Sequence, residues 1–314
     1  MANDFSDHQY WAIILGGSSG LGLAAARKLA SHGMNLCIVH RDPGVEMEKV
    51  NAAFDEIRAT GVQLLTFNAD VTRADKRAQI LETLQASIAS QGSAQNQETL
   101  QASIASQMST QNLDTLQASI ASQRSTQNQE TTPAGRSPEN GKIRCLLHSI
   151  ARGTLKAMLP ETGTALSIDD YRITLDSMAY SLYEWVKDIS ALHLFATDAR
   201  VLSFTSEGSH RAWKHYGAVS AAKAALEAIS RNIALEFAPL GIRANCIQAG
   251  TTNTRSLQLI PGSEQLIAWS EARNPFQRLT SPEDVANVVY LLCKDEAAWI
   301  NGAVIPVDGG AHIC

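Results

Sequence analysis

Two side chains in the stretch His215-Tyr216-Gly217-Ala218-Val219-Ser220-Ala221-Ala222-Lys223 could do chemistry together. A phenol donates a hydrogen bond to developing negative charge, and a nearby ammonium favours that donation. Tyr216 and Lys223 stand seven residues apart at the start of a helical pattern. On a helix, i+4 and i+7 both return to the same face, but seven residues span about 10 Å of axis where four span about 6 Å. The phenol therefore sits about one turn further from the ammonium than a four-residue spacing would place it. Ser206 adds a hydroxyl upstream. It either hydrogen-bonds a substrate carbonyl or holds the loop around it. His210 and His215 flank these groups and read as structural hydrogen-bonders.

A second set of residues suits a nucleotide. Gly16-Gly17-Ser18-Ser19-Gly20-Leu21-Gly22 follows a short apolar run and opens a helical segment. Glycines at 16, 20 and 22 allow a tight turn that brings the backbone close to a pyrophosphate resting on a helix N-terminus. The spacing is GxxxGxG and by itself is common to purely structural turns. Its setting adds weight: Asp70-Val71 closes the third strand candidate, and His148-Ser149-Ile150 closes the fourth. Ends of neighbouring parallel strands are where such sheets bind ligands.

The elements that must position these groups alternate along the chain. Strand-like runs at 11–15, 36–39, 63–67, 144–149, 200–205, 243–249 and 303–307 are separated by helical patterns near 20–32, 45–59, 73–90, 168–195, 215–238 and 282–294. The rhythm predicts one α/β domain over 1–314, a doubly wound, seven-stranded parallel sheet of Rossmann type. One region interrupts it. A sixteen-residue unit beginning Glu82-Thr83-Leu84-Gln85 occurs three times over 82–129. Leu84 and Ile88 continue the stripe of Ile80 and Leu81, so the first copy extends a core helix. The later copies, rich in Gln, Ser, Thr and Asn, read as a low-complexity surface insertion before strand four, with a partner-binding arm as the alternative.

Composition narrows the partners. A net charge of −5 and a pI near 5.9 supply no basic field for nucleic acid. No segment approaches the ~18 apolar residues of a membrane span. The polar N-terminus does not read as a signal peptide, and five cysteines without metal-ligand spacing read as reduced thiols, so a cytoplasmic location is expected.

Taken together, the glycine turn, Asp70-Val71, Tyr216 with Lys223, the segment Gln248-Ala249-Gly250-Thr251-Thr252-Asn253-Thr254 and Val307-Asp308-Gly309-Gly310 resemble the short-chain dehydrogenase/reductase family. Typical members carry Tyr-x-x-x-Lys, where this chain has Val219 at the tyrosine position, and Asn-Asn-Ala-Gly where it has His148-Ser149-Ile150-Ala151. Both departures are similar to the divergent enoyl-acyl-carrier-protein reductase branch. That resemblance implies a cytoplasmic homotetramer that reduces a trans-2-enoyl thioester, carried by acyl-carrier protein or coenzyme A, in fatty-acid synthesis. It also implies roles in cofactor binding for Gly16, Ser18, Ser19, Gly20, Leu21, Gly22, Asp70, Val71, His148, Ser149, Ile150, Lys223, Gly250, Thr252 and Thr254. Ser206 holds the position of the typical catalytic serine. Met178 stands where typical members have a relay asparagine, so that relay is not expected, and Tyr180 reads as core or tetramer packing.

Geometry supplies an independent reason for the spacing. In ketone reduction, hydride and negative charge arrive at the two ends of one bond. In enoyl-thioester reduction, hydride lands on C3 while charge develops on the oxygen of C1. Moving the phenol one turn along the helix, while the lysine holds the nicotinamide ribose, supplies a shift of that order. Tyr216, Lys223 and Ser206 are thus the catalytic candidates. Arg41 precedes Asp42 at the end of strand two, which favours NADPH, with NADH the alternative. The apolar but Pro- and Gly-interrupted segment after Thr254 suits a lid, with Leu257, Leu259, Ile260 and Trp269 as acyl-lining candidates. Two other functions remain open: a carbonyl reductase, and a non-catalytic nucleotide-binding scaffold.

Overall fold

The computed structural model describes residues 4–90 and 141–314. Copies two and three of the repeat, and the end of the first, lie outside these residues. The segment Trp-Ala-Ile-Ile-Leu forms β1 (Trp11–Leu15), with every residue buried. A strand buried on both faces needs helices on both sides, which is the environment of a parallel sheet. Six further strands supply it: β2 (Asn35–His40), β3 (Leu64–Asn68), β4 (Ile143–His148), β5 (Phe195–Thr205), β6 (Ile242–Ala249) and β7 (Val304–Val307). They lie in the order β3-β2-β1-β4-β5-β6-β7, all parallel. The order reverses between β1 and β4, which opens a crevice at their carboxyl ends.

Alternation divides the strand side chains between two layers. Ile14, Ile38 and Leu147 face α1 (Gly20–Ala30), α2 (Met47–Arg58) and α9 (Pro282–Cys293). Ile13, Leu146, Val201 and Ala244 face the other layer. That layer holds the helix over 74–90 (α3), α5 (Ser181–Ala191) and α6 (Gly217–Glu236). Leu84 is fully buried there and Ile88 packs against the same cluster, so the first repeat copy begins inside a core helix, as its stripe predicts.

Local chemistry starts and stops the helices. Ser281 caps α9 reciprocally with Asp284, and Pro282 takes the first helical position. Ser167 and Asp170 form the same box at α4 (Ile168–Leu175). The helix expected over 168–195 is interrupted: a π-turn at Asp176–Tyr180 separates α4 from α5, and the chain leaves the helix at Ala191. The wider turn carries Ser177 and Met178 to the crevice. β5 begins at Phe195, five residues before the apolar run that announced it.

Candidate active site

A cleft of about 750 Å³ lies over the carboxyl ends of the strands. Its glycine turn is built by close approach. Gly16 takes φ +89°, its N–H donates to Val39 O at 2.7 Å, and a Cβ there would meet the Ser149 carbonyl oxygen at 2.5 Å. A Cβ on Gly22 would stand 2.1 Å from Gly16 O. Gly22 therefore seats α1 on the turn and does not line the cleft, whereas Ser18, Ser19, Gly20 and Leu21 do. Ser19 makes no capping hydrogen bond, and the first turn of α1 holds no acidic residue. The orphan N–H groups of that helix end thus face the cleft with no competing carboxylate, a fit for a phosphate.

At the opposite rim, Arg41 donates to Asp70 at 2.7 Å and Arg152 reaches the same oxygen at 3.1 Å. Burial pushes the Asp70 carboxyl up, but bonds from Thr72 and the two guanidinium charges outweigh it and hold the group below its ordinary range. Asp42 accepts from or pairs with His40 Nδ1 at 2.7 Å. Val71, Ser149 and Ile150 line the cleft beside them.

His148 corrects its expected role. It is fully buried on the sheet face that meets α5, beneath the cleft, with Nε2 2.8 Å from Ser181 Oγ. Desolvation, then repulsion by Lys223, pushes its pKa down to about 3, so it stays neutral. A side chain two strand positions after Leu146 must share the inner face with it, which sequence adjacency to Ser149 concealed.

The reacting constellation comes from three elements. His215 takes φ +64°, a left-handed conformation uncommon outside glycine, and turns the chain so that Tyr216 becomes the N-cap of α6. Tyr216 O accepts from Ser220 N at 2.7 Å, and its ring packs 5.7 Å from that of Trp213. Gly208 leaves room for the phenol: a Cβ there would lie 2.5 Å from a Tyr216 ring carbon. Burial raises the Tyr216 pKa, moderated by Ser206, whose hydroxyl lies near the phenol. Ser206 Oγ is itself buried with no aligned hydrogen-bond partner in the protein. Lys223, 7% exposed, donates to Phe204 O at 2.6 Å. Desolvation brings its pKa down to about 8, against opposing pulls from Cys246 and Glu227. Val219 occupies the intervening turn as an apolar contact of Met178 and Tyr216.

The remaining candidates divide. Gly250 has no space for a side chain, since a Cβ would lie 2.3 Å from Thr280 Oγ1. Thr252 lines the cleft with its hydroxyl donated to Gly250 O. Thr254 lines it as the N-cap of α7 (Arg255–Gln258). Leu257, Leu259 and Ile260 form an apolar wall on the segment leading to α8 (Ser263–Arg273). Trp269 does not line the cleft: it lies outside, under the guanidinium of Arg273 at 4.3 Å. His210 and His215 do not line it either, and Tyr180 is half exposed at the end of the π-turn, away from both core and cleft. Sequence reasoning missed the pairing of Arg273 with Glu207 at 2.9 and 3.1 Å, which ties α8 to the Ser206 loop. It also missed Glu227, although the i, i+4 relation to Lys223 was visible.

Similar proteins place this geometry. Residues 92–312 match the family described as Enoyl-(Acyl carrier protein) reductase, and residues 10–91 match that described as short chain dehydrogenase. The Enoyl-[acyl-carrier-protein] reductase [NADH] FabI of Aquifex aeolicus is 31% identical over 176 residues, 55% of this chain and 63% of the relative. This chain thus aligns with less than two thirds of that relative's length. The crystal structure of the Aquifex aeolicus enzyme superposes with a TM-score of 0.70 at 22% identity, covering 98% of both chains. A short chain dehydrogenase from Burkholderia cenocepacia in complex with NADP gives 0.68 at 20% identity, covering 97% and 98%.

Proposed function

The chain belongs to the short-chain dehydrogenase/reductase family, in its enoyl-(acyl carrier protein) reductase branch, and from that premise we propose that it reduces the C2–C3 double bond of a trans-2-enoyl thioester with NADPH. The observation that carries the reading is the placement of the phenol. Tyr216 stands at the first turn of α6 and Lys223 two turns in, with Val219 as plain wall between them. A reductase of carbonyl carbon needs its donor where Val219 is, next to the hydride acceptor. Here the donor waits further along, where the oxygen of a conjugated thioester would lie.

The residues fit a reduced nicotinamide dinucleotide. The turn Ser18–Leu21 and the end of α1 would hold its pyrophosphate, Arg41 its 2′-phosphate, Val71 and Ile150 its adenine and nicotinamide sides, and Lys223 its ribose. When bound, that group supplies the hydride. Tyr216 then donates a hydrogen bond to the developing enolate oxygen, and Ser206 presents a second hydroxyl to the same region. Lys223 supports the phenol by its charge while anchored to Phe204 O. The wall of Leu257, Leu259 and Ile260 excludes water and accepts the acyl chain. Arg41 supports NADPH because its guanidinium is free to exchange Asp70 for a phosphate, while Asp42 is drawn to His40.

The thioester is carried by acyl-carrier protein or coenzyme A in this reading, and the working unit is a homotetramer. An apolar groove of about 480 Å³ between Tyr180 and Tyr183, at the start of α5, and Ile233 and Phe237, at the end of α6, supports association there. No helix among the described residues is long and apolar enough to cross a membrane. The deciding assay follows NADPH and NADH oxidation with crotonyl thioester and with acetoacetyl thioester. Turnover of crotonyl thioester supports the reading. Turnover of acetoacetyl thioester alone assigns a carbonyl reductase, and cofactor binding without either assigns a scaffold.

A further inference from the structure

At the floor of the cleft, between the sheet and α6, lies a polar cluster with one member, Glu227, that the reaction above does not use. Lys223 sits on the inner side of α6, one turn before Glu227. Glu227 Oε1 accepts a hydrogen bond from Thr205 Oγ1 at 2.6 Å. Thr205 is the last residue of β5, flanked by Phe204, whose carbonyl holds the Lys223 ammonium at 2.6 Å, and by Ser206 beside the phenol. Two neighbouring residues of one strand end thus grip two neighbouring turns of one helix.

We propose that Glu227 is a positioning residue for Lys223: through Thr205 it ties α6 to the end of β5, and its carboxylate, one helical turn away and outside ion-pair contact, supplies a counter-charge to the ammonium. The inference rests on the role assigned to Lys223 above and extends it to a residue outside the cleft lining. The charge argument is set by what else faces Lys223. From β4 comes His148, neutral because burial and Lys223 itself disfavour its cation. From β6 comes Cys246, its thiol pushed up by burial and held against Ser203 at 3.2 Å. β5 offers a carbonyl and hydroxyls, and Tyr216 a phenol raised by burial. Among these groups Glu227 is the one carboxylate. Burial disfavours the ammonium even while Phe204 O accepts from it, so a counter-charge one turn away shifts Lys223 toward its cation.

The Thr205 bond gives the carboxylate a second task. Lys223 and Glu227 make no direct ion pair, and an i, i+4 charge pair on an exposed helix is worth only about 0.3–0.5 kcal/mol, because both side chains wander; burial of Lys223 strengthens the attraction across the turn. Anchoring one oxygen to the strand removes that freedom. The same bond fixes the backbone between the Lys223 acceptor and Ser206.

The test uses Glu227→Gln in the full chain. Glutamine keeps an oxygen for Thr205 and removes the charge. The first readout needs no substrate or cofactor: the pH midpoint for amine labelling of Lys223, read by mass spectrometry, is expected to fall by roughly one unit. The second is the NADPH dissociation constant from pH 6 to 9, expected near wild type at pH 6, about fivefold weaker at pH 8 and about tenfold weaker at pH 9. An unchanged labelling midpoint with a superimposable affinity profile overturns the proposal. Should Glu227→Gln not fold, Glu227→Asp retracts the charge by one methylene, and the same midpoint must fall by a smaller step; no fall overturns the proposal. Failure of wild type on crotonyl thioester would sink the functional reading alone, since the labelling midpoint reads independently of it.

Discussion

Exchanging the phenol between positions 216 and 219 isolates the seven-residue spacing as a cause. In Tyr216→Phe the ring keeps its contacts with Gly208 and Trp213 and only the hydroxyl is lost. If that hydroxyl meets the enolate oxygen, turnover of crotonyl thioester falls by about 10²–10³, equivalent to about 2.7–4 kcal/mol of transition-state stabilisation. NADPH affinity stays close to wild type because Lys223 and the glycine turn are untouched. Adding Val219→Tyr returns a phenol to the family's usual place. Three helical residues move it about 4.5 Å along the axis, so a donor that met the oxygen at hydrogen-bond distance no longer reaches it. The new ring is also crowded where it leaves the helix: Val219 is 5% exposed and packs against Met178, with its Cγ2 2.6 Å from where a Cβ on Gly153 would be. Crowding of this kind costs about 1–3 kcal/mol of stability. Initial rates of NADPH oxidation, with separate titration of NADPH binding and a melting curve for each variant, distinguish these effects. Full crotonyl activity in the folded double variant would refute the spacing argument. Equal losses of turnover and NADPH affinity in Tyr216→Phe would refute the division of labour between the two side chains.

Three further outcomes are expected. Lys223 is depressed by burial from its ordinary 10.5 to about 8, which corresponds to about 3 kcal/mol of disfavoured charge below pH 8. The unfolded chain binds the extra proton between pH 8 and 10.5, so this group's contribution to stability rises with pH across that window. Lys223→Met should therefore melt at or above wild type at pH 7, with the gap closing toward pH 10, and should lose NADPH binding; a variant much less stable at pH 7 would contradict this. Arg41→Asp should weaken NADPH and favour NADH, because a carboxylate replaces the phosphate's partner and also faces Asp70, and unchanged preference in a binding titration would assign Arg41 to solvent. Deleting 98–129 should leave the melting temperature and NADPH binding unchanged, since the buried part of the first repeat, Leu84 and Ile88, is retained; aggregation would show that the repeats belong to the fold.

Much of this protein was legible in one dimension because the relevant physics is local. A fully buried parallel strand must be an apolar run, and the seven runs from Trp11 to Val307 became the seven strands. A turn whose next backbone passes 2.5 Å from a possible Cβ must be glycine, which marked Gly16. Ser281-Pro282-Glu283-Asp284 announces a helix because its bonds close within four residues. The spacing of Tyr216 and Lys223 likewise fixes their separation once α6 forms. Only the tertiary structure decided which way side chains at strand ends turn and what meets them. His148 went under the cleft while Ser149 went into it, a consequence of the pleat and of α5 lying below. Trp269 stands outside the apolar wall of the cleft, where Arg273, drawn to Glu207 66 residues away, covers its ring. Glu227 became the partner of Thr205 because α6 crosses β5 at that turn. These are contacts between elements distant in the chain, set by sheet order and helix packing, and no local pattern of residues encodes them.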